Sequence, residues 1–260
     1  IGVLEPASYV SYNLLALLCC ATLIPLTLTK VAQPETPKAP RLRPMLAISR
    51  SPLAAVGVVV AALSGASFRM TGPIFGQQVG LEITTIAYFL ASFVLGGAIA
   101  QYPIGFIADK IDRRWVLIWL SFAAIISCMV TAHIDTNNTY ILMLTVGFFG
   151  FTTFPIFSVA AAHAHDFAQD YERVELSAAL MFFYAVGAIA APYTASVLME
   201  SFGPTALFYL IASGHVGLVI FGFYRMLSRP SVEEKTDYIY SPRTTFLIGR
   251  LLKSHHKDNK

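Results

Sequence analysis

The chain has 260 residues, 56% of them hydrophobic and only 13% charged, with a mean hydropathy of +0.63. A soluble domain of this length has too little interior to bury that much apolar surface, so lipid is the expected solvent for much of the chain. The net charge of +3 marks no nucleic-acid surface, and without a glycine-rich Walker-type loop the sequence offers no phosphate cradle for an ATP-driven pump.

A helix crosses the hydrocarbon core in about 20 apolar residues. Seven stretches qualify: 8–28, 53–75, 84–108, 115–133, 139–162, 176–199 and 204–226. Each is expected to be helical, because a lone segment in lipid has no other way to satisfy its backbone. The first, taken as a full span within 1–29, carries Cys19 and Cys20; with Cys128 they sit in apolar runs and read as packing residues, without metal geometry or a disulfide partner. The sequence opens at Ile1 with no basic segment ahead of this stretch, so it reads as an internal span of a longer protein rather than a signal peptide. Residues 30–52 bring Pro34, Pro37, Pro40 and Pro44 among basic residues and read as an extended linker. Six spans then fill 53–226, joined by loops short enough to make successive helices antiparallel. From 227 the chain turns polar, a tail in which a short surface helix is expected near 244–253.

The cations give the orientation. Lys30, Lys38, Arg41, Arg43 and Arg50 lie between spans one and two, Lys110, Arg113 and Arg114 between three and four, Arg173 between five and six, and eight more from Arg225 onward. Loops 76–83, 134–138 and 200–203 have none. Positive charge marks the cytoplasmic side, so every second loop, and the C-terminus, is expected there.

After span three the sequence reads Gly105-Phe-Ile-Ala-Asp109-Lys110-Ile-Asp112-Arg113-Arg114. A carboxylate at Asp109, ending a membrane helix, can accept from the exposed N–H groups of a neighbouring helix N-terminus, and the arginines then face the anionic leaflet. The segment resembles the signature loop of the major facilitator superfamily: Gly, Asp four residues on, a basic residue, a Gly, and two basic residues, with Asp112 standing where Gly is usual. The resemblance implies an all-α polytopic membrane protein of twelve helices in two six-helix halves. On that template the first span is similar to helix six, 30–52 to the central cytoplasmic linker, 53–226 to the C-terminal six-helix bundle, and 227–260 to a cytoplasmic tail. The wording from Gln101 to Arg114, with Phe154-Pro155 and the later His163-Ala-His165-Asp166, looks like a poorly characterised bacterial branch.

Charges inside spans cost about 2.5–3.5 kcal/mol on insertion scales, so each needs a reason. Arg69 is the only cation in a span's interior, on a face with Ala62, Gly65 and Gly72. It either faces a substrate in the bundle interior, or snorkels to the outer interface or pairs with Glu82. Gln101 and Tyr102 are candidates for substrate contact near the inner mouth. His163, His165 and Asp166 cluster at the inner end of span five; two histidines two residues apart do not share a helix face, so no metal site is expected. They read as a cytoplasmic gate meeting Arg173, Glu172 or Glu175. His215, in mid-span, reads as a hydrogen-bonded structural histidine, with a proton relay as the alternative. Ser92, Gly96 and Ala100 form a small-residue stripe, as do Gly187, Ala191 and Ala195 beside Pro192; both read as helix packing.

The function expected from the resemblance is secondary active, proton-coupled transport of a small solute by alternating access, with a non-transporting receptor or scaffold as the alternative. No enzymatic activity and no cofactor are implied. The expected partners are the bilayer, a small-molecule substrate and an N-terminal six-helix half, in a bacterial inner membrane.

Overall fold

The computed structural model describes residues 9–28, 42–134 and 138–228. Within these the secondary structure is helical throughout, with no strand. The sequence expectations for 29–41, including Pro34, Pro37 and Pro40, and for the tail with its helix near 244–253 lie outside the described residues.

The first apolar stretch is not one helix but two, α1 (Tyr9–Ala21) and α2 (Leu23–Leu28). Proline supplies no N–H, so Pro25 cannot bond the carbonyl of Ala21, and that is where α1 stops. Beside the break the Thr22 hydroxyl donates to the Cys19 carbonyl at 2.6 Å. None of α1 is buried, and Cys19 and Cys20 are exposed, whereas Cys128 is wholly buried in the bundle.

The expected extended linker needs a second correction, because Pro44–Arg50 is a helix, α3. Pro44 stands in the first turn, where a helix needs no N–H, so a proline there starts a helix instead of breaking one. The helix is fastened at both ends by ion pairs, Arg50 to Glu172 at 2.6 Å and Arg43 to Glu175 at 3.4 Å, and Ala47 is fully buried between.

Six long apolar helices follow: α4 (Pro52–Gln78), α5 (Ile83–Lys110), α6 (Arg113–His133), α7 (Thr139–His165), α8 (Arg173–Phe202) and α9 (Ala206–Ser228). Their starts and stops follow local chemistry. Ser51 caps α4, its hydroxyl accepting from the Ala54 N–H at 3.2 Å. Gly203 ends α8 at φ 89°, a left-handed conformation that suits glycine. At about 1.5 Å per residue, even the shortest of the six spans a hydrocarbon core.

The helix α4 is the hub, touching α5, α7, α8 and α9, while α5 packs most extensively on α7 and α6 on α9. Accordingly 67% of the apolar stretch of α4 is buried, against 33% for α5 and 22% for α8, which places the last two at the bundle's open face. The α5–α7 seam is a backbone contact. A Cβ on Gly96 would run into the carbonyl of Gly147, and one on Gly150 into that of Phe93. On the other side, Gly187 brings α8 against α4, a Cβ there lying 3.0 Å from that of Ala62. Both small-residue stripes thus meet neighbouring helices.

Two apolar cores fill the bundle. One collects rings, Phe68, Phe75, Phe89, Phe93, Phe149 and Phe208, around Cys128, Leu207 and Ile211. The other, toward the basic ends of the helices, is aliphatic, built from Leu53, Val58, Leu117, Ile156, Leu176 and neighbouring alanines.

Candidate functional site

Four helices leave a cavity of about 370 Å³ between them at mid-depth. From α4 it takes Ala61, Gly65 and Arg69, from α5 Phe93 and Gln101, from α7 Thr153, Phe154, Phe157 and Ser158, and from α8 Met181 and Tyr184. Spacings of four and eight residues on α4 and eight on α5 put these side chains on one face of each helix.

Arg69 is folded along its own helix. Its Nε donates to the Gly65 carbonyl at 3.0 Å and its Nη2 to the Tyr184 hydroxyl at 3.2 Å. A Cβ at Gly65 would sit 3.5 Å from that Nη2, in ordinary van der Waals contact with the guanidinium. The cation therefore faces the cavity, and Glu82 is not its partner. Of the other two expected contacts, Gln101 lines the cavity and Tyr102 does not; Tyr102 is 84% exposed on the outside of α5. Adjacent residues on a helix are about 100° apart, enough for one to line the cavity and the next to miss it.

At the basic end, Arg113 joins three helices. Its Nη2 donates to Asp109 Oδ1 at 3.1 Å on α5, and its Nη1 to the Asp166 carboxylate and, at 3.5 Å, to the Ala162 carbonyl at the end of α7. Asp109 was expected to accept from a helix N-terminus, but the carboxylate that does so is Asp112. It caps α6 by accepting from the Arg114 N–H at 3.0 Å and grips the same residue's guanidinium at 2.7 to 3.2 Å. Burial alone would push the Asp112 carboxyl up; the Arg114 hydrogen bonds and charge outweigh it and hold it below the ordinary 3.8. Lys110 lies 4.0 Å over the Phe106 ring. A side chain at Gly105 would meet nothing of this bundle.

The histidine cluster is divided among different partners. His163 is buried with its ring edge-on to Phe167, and His165 Nε2 lies 3.1 Å from the Ser177 hydroxyl. Asp166 pairs with Arg113 rather than with Arg173, which opens α8. Glu172 and Glu175, the other expected partners, are instead held by α3. The hydrogen bond from Arg50 lowers the Glu172 carboxyl below its ordinary 4.5 and raises the Arg50 guanidinium in return. In mid-bundle His215 Nε2 lies 2.9 Å from the Ser64 hydroxyl, a buried pair away from the cavity. Among the described residues no group of three or more His, Cys, Asp or Glu is placed to hold a metal.

With this geometry in hand, comparison with known proteins is direct. The profile of the Major Facilitator Superfamily matches residues 54–256, well over half of the chain. The chain belongs to this superfamily. Its six apolar helices make it a multi-pass membrane protein of that fold. It is 28% identical over 223 residues to an uncharacterized MFS-type transporter of Enterobacter sp. (strain 638), covering 85% of this chain and 56% of that protein. It is 29% identical over 198 residues to the uncharacterized MFS-type transporter YcaD of Escherichia coli O17:K52:H18, covering 75% and 50%. The YcaD protein of Salmonella heidelberg is 28% identical, with 74% and 50% covered. The chain spans about half the length of these relatives.

Within the superfamily framework, the signature segment is a junction of α5, α6 and α7, with Asp112 acting as a helix cap in the position where the pattern has Gly. Sequence reasoning missed Thr153, Phe157, Ser158 and Tyr184 as cavity residues. Their signal was present, since 154 and 158 on α7, like 153 and 157, are four residues apart, and Tyr184 is a hydroxyl in a long apolar run.

Proposed function

We propose that the chain is the C-terminal part of a secondary transporter, and that the cavity between α4, α5, α7 and α8 is this part's share of the solute pathway. The observation that carries the reading is the cavity itself: a mid-depth space with Arg69, Gln101, Ser158 and Tyr184 set among apolar residues, on the face where α5 and α8 are least buried. Ligand sites combine a few polar groups with an apolar wall, and transporter sites lie near the bilayer midplane at the interface of two repeats. The second wall is assigned to a preceding six-helix half, of which α1 and α2 are the end and 30–52 the connection. The bundle at 53–226 rocks against that half, and no bond of the solute is made or broken.

The basic end, with Lys110, Arg113, Arg114 and Arg173, is assigned to the cytoplasm of a bacterial inner membrane on the positive-inside rule, and the tail from 227 with it. There Gly105, Asp109 and Arg113, with His163, His165 and Asp166, form the inner gate. Acidic residues of the described helices stand only near helix ends, so a proton-coupling carboxylate in mid-membrane is assigned to the other half.

Cysteine accessibility in the full-length protein tests the reading. With Cys19, Cys20 and Cys128 replaced by serine or alanine, Ser158→Cys should react with an impermeant maleimide from either face of the membrane, in proportions that change when a solute is added. Reaction from one face only, under every condition, would refute alternating access through this cavity.

A further inference from the structure

We infer that the solute is an organic anion with an apolar, ring-sized body, whose negative group is received by Arg69. This assignment rests on the cavity being the solute pathway, as proposed above.

An arginine near mid-membrane is costly unless something answers its charge. The two contacts of Arg69 within the described residues are neutral acceptors, the Gly65 carbonyl and the Tyr184 hydroxyl. One comes from α4 and the other from α8, and neither neutralises it. The described carboxylates lie elsewhere: Asp109 and Asp166 are bound to Arg113, Asp112 to Arg114, Glu172 and Glu175 to Arg50 and Arg43, and Glu82 and Glu200 stand near the ends of α5 and α8 with no ion pair to Arg69. No acidic residue lines the cavity. Among the described residues the guanidinium thus brings a positive charge answered by no carboxylate to a space whose other polar groups, Gln101, Thr153, Ser158 and Tyr184, are neutral.

The cavity wall points the same way. Phe93, Phe154 and Phe157 with Met181 make most of the remaining lining, and Phe157 meets Tyr184 edge to face with centroids 5.3 Å apart. Rings and a thioether receive an apolar or aromatic body; they offer little to a sugar or an amino-acid zwitterion, which would need several more hydrogen-bonding partners. A space of about 370 Å³ holds such a body with its carboxylate, sulfonate or phosphate directed at Arg69. The thrifty use of polarity matters too. Planar guanidinium forks bind these oxyanions bidentately, and Tyr184 fixes one side of the fork while leaving donors free.

Matched compounds that differ only in charge test this. Full-length protein in detergent is titrated by calorimetry with phenylacetate, phenylacetamide and phenethylamine, and with the corresponding naphthyl series. The anions should bind, and the amides about tenfold more weakly or worse, the size expected for loss of one charge-assisted pair. Arg69→Gln should erase the difference between anion and amide, while Arg69→Lys should keep its sign, which guards against a variant that fails to fold. Binding led by the amides or amines, equal binding of anions by Arg69→Gln, or no binding by any anion of the panel would each overturn the assignment. Its failure is separable from that of the transport reading. Two-sided labelling of Ser158→Cys without anion binding refutes the solute class alone, whereas anion binding with one-sided labelling refutes transport alone.

Discussion

Away from the basic end, the bundle is closed by rings packed on one another and by helices that touch through backbone; at the basic end the same helices close over alanine, valine and leucine, and their tips are held by charge. Phe68 alone has ring neighbours in Phe89, Phe93, Phe149 and Phe208, at centroid distances from 4.3 to 6.4 Å. At the other end Arg113 ties α5 to α7, and Arg50 ties α3 to the start of α8. Close packing of rings and glycine seams tolerates almost no displacement. Ion pairs at a wet surface can break and re-form at small cost. The contrast suits a body that moves as a unit while contacts at its basic end change.

The comparison can be broken most severely at the α5–α7 seam. Gly150→Ala places a methyl against the Phe93 carbonyl, a backbone atom that cannot swing away. It should abolish folded protein, read as loss of the monodisperse peak in fluorescence-detected size exclusion; a wild-type peak would mean the seam is looser than described. Next in size, Phe68→Ala should destabilise by about 3–5 kcal/mol, the usual cost of emptying a ring-sized site, and lower the melting temperature in detergent accordingly.

The charged end should respond to pH where the ring-filled end does not. Glu172 has its folded-state pKa lowered, first by the hydrogen bond from Arg50, so the pair contributes stability above the unfolded value of about 4.5 and loses it as pH falls through the folded value. Wild type should therefore melt above Glu172→Gln at neutral pH, and the gap should shrink progressively as pH falls below about 4.5. A gap independent of pH would remove the ion pair from the account. The smallest effect is expected at Gly105→Ala. Open space surrounds that position, and alanine favours a helix over glycine by up to about 1 kcal/mol, so melting should be unchanged or slightly raised. Loss of transport in that stable variant would locate the need for glycine in the contact with the other half.

Much of this was legible in the sequence. Apolar run length gave the six long helices, and the only cation in a span's interior, Arg69, led to the cavity. What was not legible depended on helix rotation. Gln101 and Tyr102 are adjacent and both exposed, yet only Gln101 lines the cavity, because the Gly96–Gly147 contact sets how α5 turns toward α7 and neighbours on a helix are about 100° apart. Residues such as Phe154 and Phe157 look like any lipid-facing phenylalanine until that rotation is known. Two misreadings were avoidable. Asp112 immediately precedes α6 and so was readable as its cap, but the signature pattern drew attention to Asp109. Pro44 was counted as a linker residue, although a proline ahead of Met-Leu-Ala-Ile is equally a helix start.

The central claim is that a solute crosses through the cavity that Arg69 faces. Proteoliposomes containing full-length protein, loaded with the tightest-binding radiolabelled anion of the panel on one side, measure it most directly. The account predicts protein-dependent flux that falls to the level of empty vesicles in Arg69→Gln and partly returns in Arg69→Lys. Flux unchanged by Arg69→Gln, or absent from the wild type, would contradict it.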